Sequence, residues 1–502
     1  MQYRDQTPFG GPIGQRIEHS VRDVFAKAIA LLDEGVLGTD AAMVDALEAG
    51  IQSPAFAALA TLGPPSGKSG GGPIGAHRRW SVHEHVRFPD PRLTSAHELH
   101  VTAPDGNGLD VRLPATHWPF VHELFSALNR GGGVVTHTNG LHADMAALLL
   151  ALEDLDALTA TPLETLTGVA DRPGITFLGH NAALVRGDHA AVLIDPFLPR
   201  PDSHYPDNFQ PMVGHQLGQV DAILLTHGHP DHFDPASLLR FASDTPLVVP
   251  LVPTETVLAP DLSLRLAQLG FTDVRARPWG HLEHFGDVTV EVLPFYGEQA
   301  TDTDRLHPGI VNAGNAYVVR TPHQSAAFVA DAGADDRGST ADVGTHHRLE
   351  RGAVDVVFAG YRGWHTSPAD LLRSSVARYF LFVPPQRWGE SMDLMHDAAG
   401  AIRTAQAFGA PLLVPYADGG APWFWNLGLG PRLDETPLER EGFDPFPERV
   451  IDAAAGIEGA PHVLLLRPGQ QLSPAGEIIE FPGHVWPWPT IETARYDADS
   501  NR

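Results

Sequence analysis

One short loop constrains this chain more than any other part of its 502 residues. The apolar run 220–226, VDAILLT, reads as a buried strand. Directly after it stand His227-Gly228-His229-Pro230-Asp231-His232. Imidazole and carboxylate gathered at a strand end are what zinc, iron and manganese take as ligands. Histidines at i and i+2 can converge on one ion, while Asp231 and His232 can face a second. The chain has no cysteine, which excludes thiolate metal sites, iron–sulfur clusters, disulfides and cysteine nucleophiles. It has 27 histidines, so any metal chemistry must run on nitrogen, oxygen and water.

Composition narrows the partners. Lys and Arg total 34 against 61 Asp and Glu, a formal charge of 34 − 61 = −27. That balance opposes nucleic acid and anionic membrane as partners of a broad basic face. No apolar run reaches the roughly 18 residues of a membrane span, and the N-terminus lacks a signal pattern. The expectation is a soluble, cytoplasmic protein. Residues 15–62 carry helical periodicity, and 64–73, PPSGKSGGGP, reads as a connector. Short strands follow around 99–103 and 109–113, then helices near 117–129 and 140–158. The pattern changes at 172, where strands begin to alternate with turns and helices. ITFLGHNAALV, AAVLIDPFL, PLVVPL, DVTVEVLP, NAYVVR, SAAFVADAG, VDVVFAG, YFLFVP and PLLVPYADGG all read as strands. The prediction is an N-terminal α+β domain over 1–171, an α/β catalytic domain over 172–490, and a polar tail over 491–502.

The hexad, with LIDPFL upstream of it, resembles the metallo-β-lactamase superfamily over roughly 172–440. The resemblance implies an αββα sandwich with a dinuclear metal site at one sheet edge. It makes Asp195 a structural aspartate behind the metals and His180, in FLGHN, a supporting histidine. Asp331, closing AAFVADAG, matches the carboxylate that bridges both ions. A third histidine is expected some sixty residues after the hexad. At 298 − 232 = 66 residues stands Glu298 instead, in LPFYGEQ, with His307 the next histidine along. The terminal ligand is expected at His396 in MDLMHDAAG, with Asp418 and His365 as alternates.

A glutamate in place of a histidine makes the site harder and more anionic, which suits iron and dioxygen better than an all-imidazole set does. The combination is similar to the chloramphenicol-biosynthesis β-hydroxylase (CmlA) family. Those enzymes carry a diiron site on a metallo-β-lactamase fold behind a large N-terminal domain. They hydroxylate the β-carbon of an aminoacyl group held as a thioester on a non-ribosomal peptide synthetase carrier domain. The resemblance implies one iron on His227, His229 and Glu298, the other on Asp231, His232 and His396, and Asp331 between them. Glu298 and Asp331 become the catalytic carboxylates, O2 the co-substrate, and the carrier domain the partner; the electron donor is not legible. A homodimer formed through the N-terminal domain is also implied. Phe295, Tyr296, Trp364, Trp423, Phe424 and Trp425 are the candidate pocket. Arg362 or Arg378 could meet a carboxylate or phosphate, and His77-Arg78-Arg79 is a basic patch suited to an acidic carrier. The alternative is a binuclear zinc or manganese hydrolase of an ester, amide or phosphodiester, in which metal-bound hydroxide attacks. The glutamate at 298 weighs for iron.

Overall fold

Strands that are apolar on both faces need cover on both sides. The chain supplies it in four layers, helix–sheet–sheet–helix, from about residue 174 onward. A computed structural model describes residues 2–4, 24–53, 96–102, 108–114, 117–129, 148–150, 152, 170–198, 208–212, 214–229, 231–253, 258–302, 311–373, 379–380, 383–417 and 447–487.

The strands of the two large sheets are numbered in chain order. The first sheet begins with Gly174–Gly179 (β1), Ala182–Arg186 (β2) and Ala191–Ile194 (β3), an antiparallel meander in which every residue is buried. Ala222–Leu224 (β4), Leu247–Pro250 (β5) and Val274–Arg277 (β6) then add in parallel. The second sheet holds Leu282–Phe285 (β7), Val288–Pro294 (β8), Asn315–Arg320 (β9) and Ser325–Phe328 (β10), all antiparallel. Val356–Ala359 (β11), Leu412–Pro415 (β12) and His462–Val463 (β13) extend it in parallel. The chain then returns to the first sheet as Gln470–Leu472 (β14) and Ile478–Glu480 (β15). The resulting orders are β15-β14-β1-β2-β3-β4-β5-β6 and β7-β8-β9-β10-β11-β12-β13.

Between the sheets lies a dry core that includes Val185, Val192, Leu224, Val290, Tyr317, Phe328 and Phe358. The rings of Phe328 and Phe358 stack with centroids 4.8 Å apart. The outer face of the first sheet is covered by Trp118–Asn129 and Leu262–Gln268, through Val121, Leu124, Phe125, Leu262 and Leu266. That of the second is covered by Thr340–Arg351, Ala398–Phe408 and Glu448–Ala455, through Val343, Ala401, Ile402, Ala405, Phe408 and Val450. The helix Ala398–Phe408 is bounded by local chemistry. Asp397 caps it by accepting from the Gly400 amide at 2.6 Å, and Gly409 ends it at φ +70°.

In the N-terminal region, Gln2–Arg4, Ala96–Thr102 and Gly108–Pro114 form an antiparallel sheet. The helices Ala26–Asp33 and Ala41–Ile51 form a hairpin. Its inner face, Phe25, Ala28, Leu32, Met43 and Leu47, packs on Leu258, Ala300, Leu371, Tyr379, Phe380 and Trp388. The αββα sandwich expected from the sequence is what forms. One strand expectation fails: in YFLFVP, Tyr379 and Phe380 sit in a helical turn. Tyr379, Phe380 and Val383 pack with the helical hairpin rather than on a sheet, so their burial imitates a strand pattern. The 491–502 tail, the 64–73 connector and His77, Arg78 and Arg79 lie outside the described residues. Among the described residues no helix is long and apolar enough to cross a membrane.

The core makes a direct prediction. Phe358→Ala, at a fully buried site between the sheets, should cost about 3–5 kcal/mol. Leu349→Ala, where Leu349 is 78% exposed, should change stability by less than about 0.5 kcal/mol. Denaturant midpoints of the two variants measure this; equal losses would place the stability elsewhere than the intersheet core.

Candidate metal centre

The parallel halves of both sheets point their carboxyl ends at one edge, the usual place for a ligand in an open α/β sheet. Asp195 follows β3 directly, and Thr226 and His227 stand just beyond β4. Glu298 lies four residues past β8, and Asp331 three past β10. The loops are pinned to each other. His227 bridges to Gly314, the Asn315 amide donates to the Thr226 carbonyl at 2.7 Å, and the Glu298 amide donates to the Leu394 carbonyl at 2.6 Å. Gly297 (φ +96°) passes so close to Gly333 that a Cβ would stand 2.6 Å from its amide nitrogen.

Backbone strain gathers at this edge. Non-glycine residues with left-handed φ are His180 (53°), Asp195 (38°), Glu298 (49°), Ala330 (48°) and Ala417 (53°). Among the described residues only Asn208 joins them. Such conformations cost about 1–3 kcal/mol each and persist where surrounding structure enforces them, often at functional sites. Here the enforcing bonds are visible. The Ala330 amide donates to the Tyr416 hydroxyl at 2.9 Å, and the Ala417 amide donates to the His180 carbonyl at 2.8 Å.

Two groups of donor atoms result. The first is His227, His229, Glu298 and Asp331, all buried, with ligand atoms within 4.8 Å of one another. His227 Nε2 and His229 Nδ1 are 3.0 Å apart, and Glu298 Oε2 lies 3.0 and 3.2 Å from them. The second group is His180, Asp231 and His232. His180 Nε2 is 3.0 Å from Asp231 Oδ2, and His232 Nε2 is 3.9 Å from it. His232 Nε2 is also 3.2 Å from Asp331 Oδ2, which joins the two groups.

A layer of oriented groups lies behind these donors. Asp195 Oδ1 accepts from the Thr226 amide at 2.7 Å, and its Oδ2 accepts from the Thr226 hydroxyl at 2.6 Å and from His232 Nδ1 at 2.8 Å. Thr226 Oγ1 also sits 3.0 Å from His227 Nδ1. Both Nε2 atoms are therefore turned inward. His229 is held the other way round, with Nε2 2.5 Å from the Tyr379 hydroxyl and Nδ1 inward. Nothing in the sequence around Tyr379 signalled this role, because the residue lies 150 positions from its partner.

The electrostatics favour deprotonated carboxylates. Burial alone would raise the Glu298 carboxyl, but His229 and His227 beside it outweigh burial and hold it well below the usual range. Burial likewise works against ionised Asp231, and His232 and His180 more than offset it. His227 is pushed down, by burial first and then by His232, which favours the neutral imidazole that a metal requires. His232 goes the other way: burial is outweighed by Asp231, Asp331 and Asp195 around it.

These features fit a pair of metal ions. Ligand atoms about 2.0–2.2 Å from one ion stand about 3–3.5 Å from each other, as those of His227, His229 and Glu298 do. Asp331 Oδ1 is buried with no hydrogen-bond partner among the described residues, a costly state unless a cation meets it. The site is thus a buried His/Asp/Glu candidate for two metals.

The other residues singled out from sequence fall as follows. His396 joins neither group; its Nε2 is 3.0 Å from Thr404 Oγ1, and burial lowers its pKa to about 4. His365 is exposed and paired with Asp393 at 2.7 Å. Asp418, His307, Trp423, Phe424, Trp425 and Arg378 lie outside the described residues. Phe295 is wholly buried with its ring 5.2 Å from that of His227. Tyr296 packs against Trp279 and beneath Arg337, and Trp364 packs against the core under the helical hairpin. Arg362 is buried.

Comparison with known proteins agrees with this architecture. Residues 174–369 match the family described as the beta-lactamase superfamily domain. A 4-amino-L-phenylalanyl-[CmlP-peptidyl-carrier-protein] 3-hydroxylase of Streptomyces venezuelae is 27% identical over 223 residues, 42% of this chain and 40% of that protein. A UPF0173 metal-dependent hydrolase of Anaeromyxobacter is 25% identical over 300 residues, 60% of this chain and 86% of that protein. The crystal structure of CmlA, a diiron beta-hydroxylase from Streptomyces venezuelae, superposes with a TM-score of 0.51 at 21% identity. That match covers 71% of this chain and 63% of that one, and is a likeness of fold. With its two mixed sheets, its strand-end hexad and its family match over residues 174–369, this chain has the metallo-β-lactamase fold from about residue 174 onward.

Proposed function

We propose that the protein is a non-heme diiron, O2-dependent monooxygenase that hydroxylates the β-carbon of an amino acid held on a non-ribosomal peptide synthetase carrier domain. The observation that carries this reading is Glu298. It stands where it completes a set of two imidazoles and one carboxylate with His227 and His229. That donor set is the one non-heme iron oxygenases use. The partial likeness to a carrier-protein 3-hydroxylase supports the reaction class and the tethered substrate.

In this reading His227, His229 and Glu298 hold one ion, Asp231 and His232 hold the other, and Asp331 lies between. Bound iron supplies the oxidising chemistry, and the protein supplies position and dryness. Asp195 and Thr226 orient two imidazoles, those of His227 and His232, by accepting ring N–H protons and setting the tautomers. Tyr379 does the same for His229. Phe295 closes the side of His227 away from water. Asp231, a fifth exposed, marks the open side of the centre where substrate would arrive.

A second reading has an observation of its own. The chain covers 86% of a UPF0173 metal-dependent hydrolase, against 40% of the hydroxylase. A binuclear zinc or manganese hydrolase would use the same ligands.

Metal analysis separates the two. Protein purified from iron-replete cells should hold two irons per chain, with the visible absorption of a coupled ferric pair. Two zincs under those conditions, and no hydroxylation of carrier-bound amino acids after iron reconstitution, would replace the oxygenase with the hydrolase. Asp195→Asn should weaken metal binding by about 10–100-fold, the usual effect of losing an orienting partner; competition with a chelator reads it, and unchanged affinity would remove Asp195 from the site. Protons compete for the ligand imidazoles, so bound metal should be lost as pH falls from about 7.5 to about 5. Metal content measured across that range checks it, and retention throughout would contradict ligation by these histidines.

A further inference from the structure

The second group of donors includes a residue that the sequence pattern assigned elsewhere. We infer that His180 is the direct ligand that completes the second metal position, and that His396 is a structural residue at the start of the helix Ala398–Phe408. The inference rests on the two-metal reading of the site and identifies one of its ligands.

Three observations carry it. First, His180 Nε2 stands 3.0 Å from Asp231 Oδ2 and belongs to the same compact group as His232 Nε2. With His180 counted, each position has two imidazoles and one carboxylate of its own: His227, His229 and Glu298 on one side, His180, His232 and Asp231 on the other. Asp331 spans them.

Second, the backbone is built to aim His180. The β1–β2 ladder slips between Phe177 and Gly179, leaving Leu178 as an extra residue. Bulges of this kind re-aim a side chain at the end of a strand. His180 then takes φ +53°, with its carbonyl tied to the Ala417 amide, while Asn181 Nδ2 donates to the Asp231 carbonyl at 2.5 Å. The imidazole is fully buried and reaches the one carboxylate of the hexad loop. A histidine needed only to fill the core would not require a strained backbone beside a bulge.

Third, the ring of His396 is turned away. Its Nε2 faces Thr404 Oγ1 at 3.0 Å, and its Nδ1 lies 2.9 Å from where a Cβ on Gly400 would stand. Both ring nitrogens therefore address the helix Ala398–Phe408. The main chain of His396 is pinned as well, its amide donating to Ala332 and its carbonyl accepting from Gly363. The residue ties that helix to the loop after Asp331.

The test uses the full-length protein, stripped of metal and titrated anaerobically with Co2+, whose visible absorption reports ligand number. Wild type and His396→Ala should each bind two ions, with dissociation constants within about threefold of each other. His180→Ala should weaken one of the two by more than the roughly 100-fold expected of a lost supporting group. It should also shift the absorption of that ion, and added imidazole should restore both. His180→Gln, which keeps bulk and polarity, guards against a folding defect and should lose the same ion at an unchanged denaturation midpoint of the metal-free protein. Two ions retained in both His180 variants would overturn the inference, as would loss of the second ion in His396→Ala alone. A wild-type protein that binds fewer than two ions would overturn the two-metal reading itself and the inference with it.

Discussion

The whole site hangs on the carboxylate of Asp195. It sits at the end of β3 and accepts from the amide and hydroxyl of Thr226, at the end of β4, and from His232 in the hexad loop. Its own amide donates to the Leu224 carbonyl. Two neighbouring parallel strands and the hexad loop are thereby tied at one point, fully buried. Unpaired, a buried carboxylate would be costly; with every partner in place it fixes ring directions to within a hydrogen bond's tolerance. The strained φ of Asp195, Glu298 and His180 make sense against that background. The packed sheets behind the edge hold side chains where an unconstrained chain would not put them.

How much of this was legible in the sequence depends on how local each signal is. The hexad is local: strand, candidate ligands and loop are contiguous, and periodicity places it at a strand end. Glu298 and Asp331 were legible because each follows an apolar strand, so register carries them to the same edge. His180 and His396 were harder, because spacing says which residue arrives near a site and nothing about where its ring turns. A one-residue bulge decides the first, and a helix start with Thr404 decides the second. Tyr379 was not legible at all. Its segment has the composition of a strand, and the partner that removes it from a sheet is a helical hairpin more than 300 residues upstream.

Charge follows the same division. A net −27 described the surface. Within the centre the relevant quantity is the number of anionic oxygens per imidazole, and Glu298 raises it. The neighbouring histidines, in turn, keep that carboxylate ionised despite burial. One side chain thus sets the charge of the donor set, whereas the orientation of its imidazoles is shared among Asp195, Thr226 and Tyr379 behind it.

The helical hairpin extends that sharing beyond the sheets. Phe25 meets Phe380 edge to face, with ring centroids 5.2 Å apart. The next residue back along the chain, Tyr379, holds His229. The stiffness of a candidate ligand is therefore supported by a hairpin that contributes no residue to either donor group. Repacking the hairpin would change how firmly His229 is held while leaving every donor atom of the two groups in the sequence.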